Sequence, residues 1–180
     1  MGTLDKCNTE EEMRVWWNKH DCKNMIASLK IDGNGIVLTY KDGKFIRAYS
    51  RGDGEYGQDY TDKIFKIASI PLTLKNKFSG HIRGEAYMRK SIWENNFKDQ
   101  KNPRNTAAGI LGKKDIENCK YLDFIAYDVF DDDNVVDKTK KEKFTFLQEN
   151  GFKIPEYIEN PTFEQLIEWK NKLNTNGEIP

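Results

Sequence analysis

The sequence predicts an α+β fold, with mostly antiparallel sheets and helices at the periphery. Two patterns carry that expectation. Short β-rich runs follow one another with glycine turns between them, an order that makes neighbouring strands antiparallel. Runs with helical caps stand mostly at the two ends of the chain. With 180 residues there is enough chain for one domain with a real core.

The elements can be justified in order. Thr9 and Glu12 form a capping-box pattern for a helix over about residues 10–20, with Met13, Trp16 and Trp17 on its apolar side. Three strand-like runs follow, Met25–Ile31, Gly35–Tyr40 and Phe45–Tyr49, and Lys41-Asp42-Gly43-Lys44 between the last two reads as a hairpin turn. Arg51-Gly52-Asp53-Gly54-Glu55-Tyr56-Gly57 is a glycine-rich loop, and a short helix is expected over about residues 60–68. His81–Met88 and Leu122–Phe130 read as buried strands. Between them, Asn102-Pro103-Arg104-Asn105-Thr106-Ala107-Ala108-Gly109 reads as a turn leading into small residues. Asp131-Asp132-Asp133-Asn134 reads as a solvated turn. Helices are expected at about 138–150 and 162–173, the second started by Pro161-Thr162. There is no repeat and no low-complexity linker.

Composition narrows the function classes. Lys+Arg and Asp+Glu are both 29, so no general basic field for nucleic acid exists and any such contact must come from local patches. Aromatic residues at 12% argue against disorder. Cys7, Cys22 and Cys119 are widely spaced and form no metal-ligand pair, which fits reduced thiols. His20 and His81 show no ligand spacing. No apolar run is long enough to span a membrane and no signal-peptide pattern opens the chain.

The chemistry-bearing segments are few. In Ser28-Leu29-Lys30-Ile31-Asp32-Gly33, strand alternation places Lys30 and Asp32 on one side and Leu29 and Ile31 on the other. A lysine amine becomes a nucleophile when burial or cationic neighbours suppress its charge. A surface hairpin ending in Asp-Gly has the same appearance. The glycine loop reads as an ordinary turn, or as backbone that approaches a phosphate or ribose with Arg51 as a cationic fork. Gly84, inside Arg83-Gly84-Glu85, marks close approach of a ligand or of another backbone. Arg83 and Glu85 share a face. They form a cross-strand ion pair, or Glu85 accepts from sugar hydroxyls or holds Mg²⁺ through water. Arg104 follows Pro103, where a phosphate contact and a surface salt bridge are equally plausible. Tyr127 is by default a core tyrosine, with stacking on a base as the rarer use. Lys138–Lys143 is a solvated helix face before it is a DNA contact.

Taken in this order, Ser28–Gly33, the run Ser50-Arg51-Gly52-Asp53-Gly54-Glu55-Tyr56-Gly57-Gln58-Asp59, Ile82-Arg83-Gly84-Glu85 and Asn102–Gly109 resemble the adenylation domain of NAD-dependent DNA ligases. Thr3-Leu4-Asp5, Ile67–Leu72 and Leu122–Tyr127 are similar to further parts of it. The resemblance covers nearly the whole chain. It implies the nucleotidyltransferase (ATP-grasp-like) core of DNA ligases, incomplete at the C-terminus. It implies Lys30 as the nucleophile that attacks the α-phosphate of NAD, releasing nicotinamide mononucleotide and keeping AMP as a covalent adduct. Asp32 would orient it. Ser28, Leu29 and Ile31 would lie against the cofactor, Arg51 and Arg104 would contact nucleotide or DNA phosphates, Glu85 would hold the ribose, and Tyr127 would stack on adenine. Mg²⁺ would assist, with no protein ligand assigned beyond Glu85 through water.

The same resemblance implies nicked double-stranded DNA as partner, in replication and repair, in a bacterial cytoplasm or a host cytoplasm if phage-encoded. Two departures stand out. The family carries a glutamate where this chain has Ser28, and an arginine for DNA after the alanine-alanine-glycine run, where this chain offers Lys113. The upstream module for the nicotinamide half, the later lysine strands, and the oligonucleotide-binding, zinc, helix-hairpin-helix and BRCT modules find no counterpart in residues 1–180. The expectation is therefore a partial adenylation domain, split or truncated, working with a companion ligase polypeptide. The alternatives are a non-catalytic module that binds nucleotide or nucleic acid, and another lysine nucleotidyltransferase such as an RNA ligase or an mRNA capping enzyme.

Overall fold

The computed structural model describes residues 6–20, 22–50, 57–131 and 138–173. In chain order the elements are α1 (Glu10–Lys19), β1 (Ile26–Ser28), β2 (Asn34–Lys41), β3 (Lys44–Ser50), α2 (Thr61–Ile64), β4 (Gly80–Tyr87), α3 (Lys90–Asn96) and α4 (Pro103–Gly112). A 3₁₀ turn at Glu117–Tyr121 then leads into β5 (Asp123–Phe130), α5 (Lys140–Glu149), β6 (Tyr157–Glu159) and α6 (Phe163–Leu173). They fall into two compact units. One holds α1, β1, β6 and α6, and the other runs from Leu29 to Pro155.

In the first unit β1 and β6 pair antiparallel, with Ser28 opposite Tyr157. The Trp17 ring meets the edge of Phe163 at 5.7 Å, which joins α1 to α6. Each helix starts on a threonine. Thr9 Oγ1 accepts from Glu12 N at 3.1 Å, but the Glu12 carboxylate accepts from Asn8 N and not from Thr9, so the expected capping box shifts by one residue on its return arm. Thr162 and Gln165 close the reciprocal pair at the start of α6.

The second unit is built on a four-stranded antiparallel sheet in the order β3-β2-β4-β5. Its β2–β3 hairpin turns through Asp42 (φ 50°) and Gly43 (φ 76°), the left-handed pair that matches strand twist. Period-two alternation sends Ile36, Leu38 and Tyr40 of β2 to one face, where each is at most 1% exposed. Direct register opposes Ile36 to Gly84 and Leu38 to Ile82, and carries on to Ala126 and Val129 of β5. Phe144 and Leu147 of α5, with Phe124 and Phe152, complete this core.

Three expectations need correction. The first strand ends at Ser28, so residues 29–32 are irregular and Lys30 lies off the strand. The helix expected at 60–68 is a single turn, Thr61–Ile64. The supposed turn after Asn102 is the ten-residue helix α4, because Asn102 Oδ1 caps the Asn105 amide at 2.8 Å and Pro103 sits at the helix start, where its missing N–H costs nothing. The glycine within β4 is met as expected by another backbone, the Ile125 carbonyl of β5. Gly84 sits on the buried face, and a Cβ there would fall on the Phe124 ring and the Ile125 carbonyl. Arg51 and the rest of 51–56, and Asp132, Asp133 and Asn134, lie outside the described residues. No described helix is long and apolar enough to cross a membrane.

Candidate active site

The segment that carries Lys30 is pinned by its apolar alternates. Ile31 is 5% exposed and packs with Tyr87 and Ile125, and Leu29 lies against the same cluster. Lys30 is exposed and Asp32 half-exposed, so the in–out alternation holds without a strand ladder. Gly33 then sits on the end of β4. A Cβ at this position would collide with the Ala86 carbonyl oxygen, so the loop can lie this close only with glycine.

Register places the carboxylate beside this segment. Glu85 is paired directly with Ile125 on β5 and with Gly35 on β2, so it shares a sheet face with Tyr87 and Ile125, the residues on which Leu29 and Ile31 rest. The residue facing Glu85 on β2 is a glycine. Burial pushes the Tyr87 hydroxyl up to about 12, with Asp123 adding to the shift and Arg89 opposing it. Arg83, one step along the same face, holds its guanidinium 4.9 Å over the Phe130 ring.

Tyr127 owes its place to a β-bulge. Gly84 opposes Ala126 and Arg83 opposes Asp128, so Tyr127 is the extra residue between them. Alternation from Ile125 brings it to the Glu85 face, and register puts Asp128 on that face too. The α4 cap points Arg104 at the Leu29–Gly33 segment, where its Nε lies 3.3 Å from Asp32 Oδ1, both side chains at least half open to solvent. Lys113 is the C-cap of the same helix. Nine residues separate it from Arg104, about 14 Å along the axis, so the structure does not bring the two cations together. Ser28, in the other compact unit, faces Tyr157.

Comparison of the sequence with known proteins decides the family. A family described as the NAD-dependent DNA ligase adenylation domain matches residues 1–177. The chain belongs to this family. It is similar to the DNA ligase of Treponema denticola, at 32% identity over 94% of this chain and 29% of the relative. The DNA ligase of Shouchella clausii is 35% identical over 96% of this chain and 28% of its own length. That of Oceanobacillus iheyensis is 40% identical over 82% and 24%. The chain thus spans between about a quarter and three tenths of the length of these relatives.

As an adenylation domain, the chain gathers Lys30, Asp32, Arg104, Glu85 and Tyr127 within one unit. Sequence reasoning did not find the Asp32–Arg104 pair, Tyr87 or the role of Gly33. The signal for Tyr87 was its spacing of two from Glu85, and that for Gly33 was a glycine directly after an alternating run. It also missed a cavity of about 310 Å³ beside β3, lined by Arg47, Ala48, Tyr49, Gly57 and Asp59. Tyr49 opposes Val37, which opposes Arg83, so this opening belongs to the Glu85 face. Among the described residues no group of three His, Cys, Asp or Glu side chains could cage a metal ion. That donor set still fits Mg²⁺, which keeps waters and substrate phosphates as ligands and needs only one or two carboxylates.

Proposed function

We propose that this chain is the nucleotidyltransferase part of an NAD-dependent DNA ligase. The Lys30 amine, deprotonated, attacks the α-phosphorus of NAD. A P–N bond forms, the bridging P–O bond breaks, and nicotinamide mononucleotide leaves with the electron pair. AMP on Lys30 then passes to the 5′-phosphate of a DNA nick, and the 3′-hydroxyl displaces it. The observation that carries this reading is the Asp32–Arg104 pair, which joins the asparagine-proline-arginine run to the segment that holds Lys30.

Each described residue has a physical part in it. Asp32 fixes the loop and the guanidinium, Arg104 offers a planar fork for phosphate oxygens, and Glu85 accepts from ribose hydroxyls. Tyr127 presents a ring for the purine. Mg²⁺ would neutralise phosphate charge, held through water by Glu85. Phosphoryl transfer of this kind depends on positioning and charge neutralisation more than on covalent help. Arg51 would add a second fork and Lys113 a DNA phosphate contact.

Lys30 is exposed, and phosphoryl transfer needs cationic groups gathered around the phosphate oxygens. We infer that further cationic groups, supplied by a companion ligase polypeptide or by more of the chain, complete the site. Incubation with NAD and Mg²⁺ followed by intact-protein mass spectrometry tests both points. The expected result is a weak AMP adduct or none on these 180 residues, and a strong one when the region that follows the match in a relative's ligase is added. An adduct that survives Lys30→Ala would sink the assignment of the nucleophile. Adducts formed equally with ATP or GTP would favour an RNA-ligase-like or capping-type enzyme.

A further inference from the structure

The ring assigned to the purine sits where the sheet gives it least support. The bulge leaves Tyr127 with no residue opposite it on β4, so ladder pairing does not fix its orientation. Helix α5 supplies what the ladder lacks. Lys140 Nζ donates to the Tyr127 carbonyl at 2.5 Å and stands over the Tyr127 ring, 5.9 Å from its centroid. The same ammonium lies 5.0 Å from the ring of Phe144, which is fully buried and anchors the helix. Next along, Lys143 Nζ binds Asp128 Oδ1 at 2.8 Å. Two lysines one helical turn apart therefore grip the two consecutive residues of the bulge.

The base of this grip is itself fixed. Thr139 N donates to Glu142 Oε2 at 2.7 Å, and Glu142 N donates to Thr139 Oγ1 at 3.3 Å, a closed capping box immediately before Lys140. One amine thus holds both the backbone and one side of the ring of a single residue.

We propose that Lys140 is a positioning residue for purine binding, acting by orienting the Tyr127 ring. The inference rests on the reading of Tyr127 as the stacking residue. Neither motif resemblance nor charge patterning singled out Lys140 from the run Lys138–Lys143, because only the tertiary contact separates it from its neighbours.

The test titrates AMP and, separately, ribose 5-phosphate into the full 180-residue chain and its variants, with affinities read from chemical-shift changes. Lys140→Met is expected to weaken AMP about threefold, the order of an exposed cation–π contact, and to leave ribose 5-phosphate unchanged. Lys140→Arg should restore AMP affinity. In a Tyr127→Ala background Lys140→Met should add no further loss. Lys138→Met, whose ammonium stands over Phe146 instead, should leave AMP affinity unchanged, which excludes a mere loss of charge.

Distinct outcomes separate the two readings. If Tyr127→Ala leaves AMP affinity unchanged, or the parent chain prefers AMP no more than ribose 5-phosphate, the stacking assignment falls and this proposal with it. If Tyr127→Ala weakens AMP but Lys140→Met does not, only the role of Lys140 is overturned. It is overturned equally if Lys140→Met weakens both ligands alike, or if its effect persists without the tyrosine ring.

Discussion

At the scale of single residues, the Arg104–Asp32 contact separates stability from function. A half-exposed pair gains little from Coulomb attraction in water, because solvent screens it and both side chains lose freedom. Arg104→Ala should therefore change folding stability by less than about 1 kcal/mol. Adenylation by the completed enzyme should nevertheless fall by at least about tenfold, since a charge-assisted fork to phosphate is lost in a site that works by positioning. Urea unfolding of the chain and single-turnover adenylation measure the two effects. Loss of stability without loss of rate would mean that Arg104 is a structural clip. Gly33 is the opposite case, since its importance is steric and any Cβ meets the Ala86 carbonyl.

At the scale of elements, α4 shows how one cap places a functional group. Asn102 supplies both arms, its side chain to the Asn105 amide and its carbonyl to the Thr106 hydroxyl at 2.8 Å. Ala107 and Leu111, each fully buried, hold the helix against the sheet unit. Asn102→Ala is expected to cost about 1 kcal/mol, the usual loss when an N-cap side chain is removed. Because the first turn frays without the cap, Arg104 should lose its aim as well, so adenylation should fall with the melting temperature. Thermal unfolding by circular dichroism gives the first and the mass adduct gives the second. Asn102→Ser, which keeps a capping oxygen, should rescue both.

At the scale of the whole molecule, buried tyrosines set the alkaline limit. Burial pushes the Tyr87 hydroxyl up to about 12 and raises that of Tyr40, which donates to the Pro71 carbonyl at 2.6 Å. The unfolded chain gives up these protons near 10.0, the ordinary value, whereas the folded chain keeps them to higher pH. Between the two the folded state binds more protons, so stability falls as pH rises from about 10 towards 12. Urea midpoints measured across that range should drop, and Tyr87→Phe should flatten the drop. A midpoint independent of alkaline pH would show that the ring is not held in the core. Zero formal charge adds a second constraint at this scale, because the proposed DNA contact would have to come from placed cations and not from a general field.

The amino-acid order alone determined the hairpin at Asp42-Gly43, the alternation of Ile36, Leu38 and Tyr40, the helix starts at Thr9 and Thr162, and the motif set that carries family membership. These rest on local physics: φ preferences, side-chain period and capping within a few residues. The tertiary structure decided the rest. Strand β1 is short because its partner β6 lies 130 residues away in the chain and offers three pairs. The cap at Asn102 and Pro103 is local, but the helix it opens runs for ten residues because buried Ala107 and Leu111 give it something to pack on. The bulge at Tyr127, the Asp32–Arg104 contact and the Lys140 grip depend on register between distant segments. Residue order does not encode such register locally, since shifting a strand by one position exchanges its faces without altering any propensity.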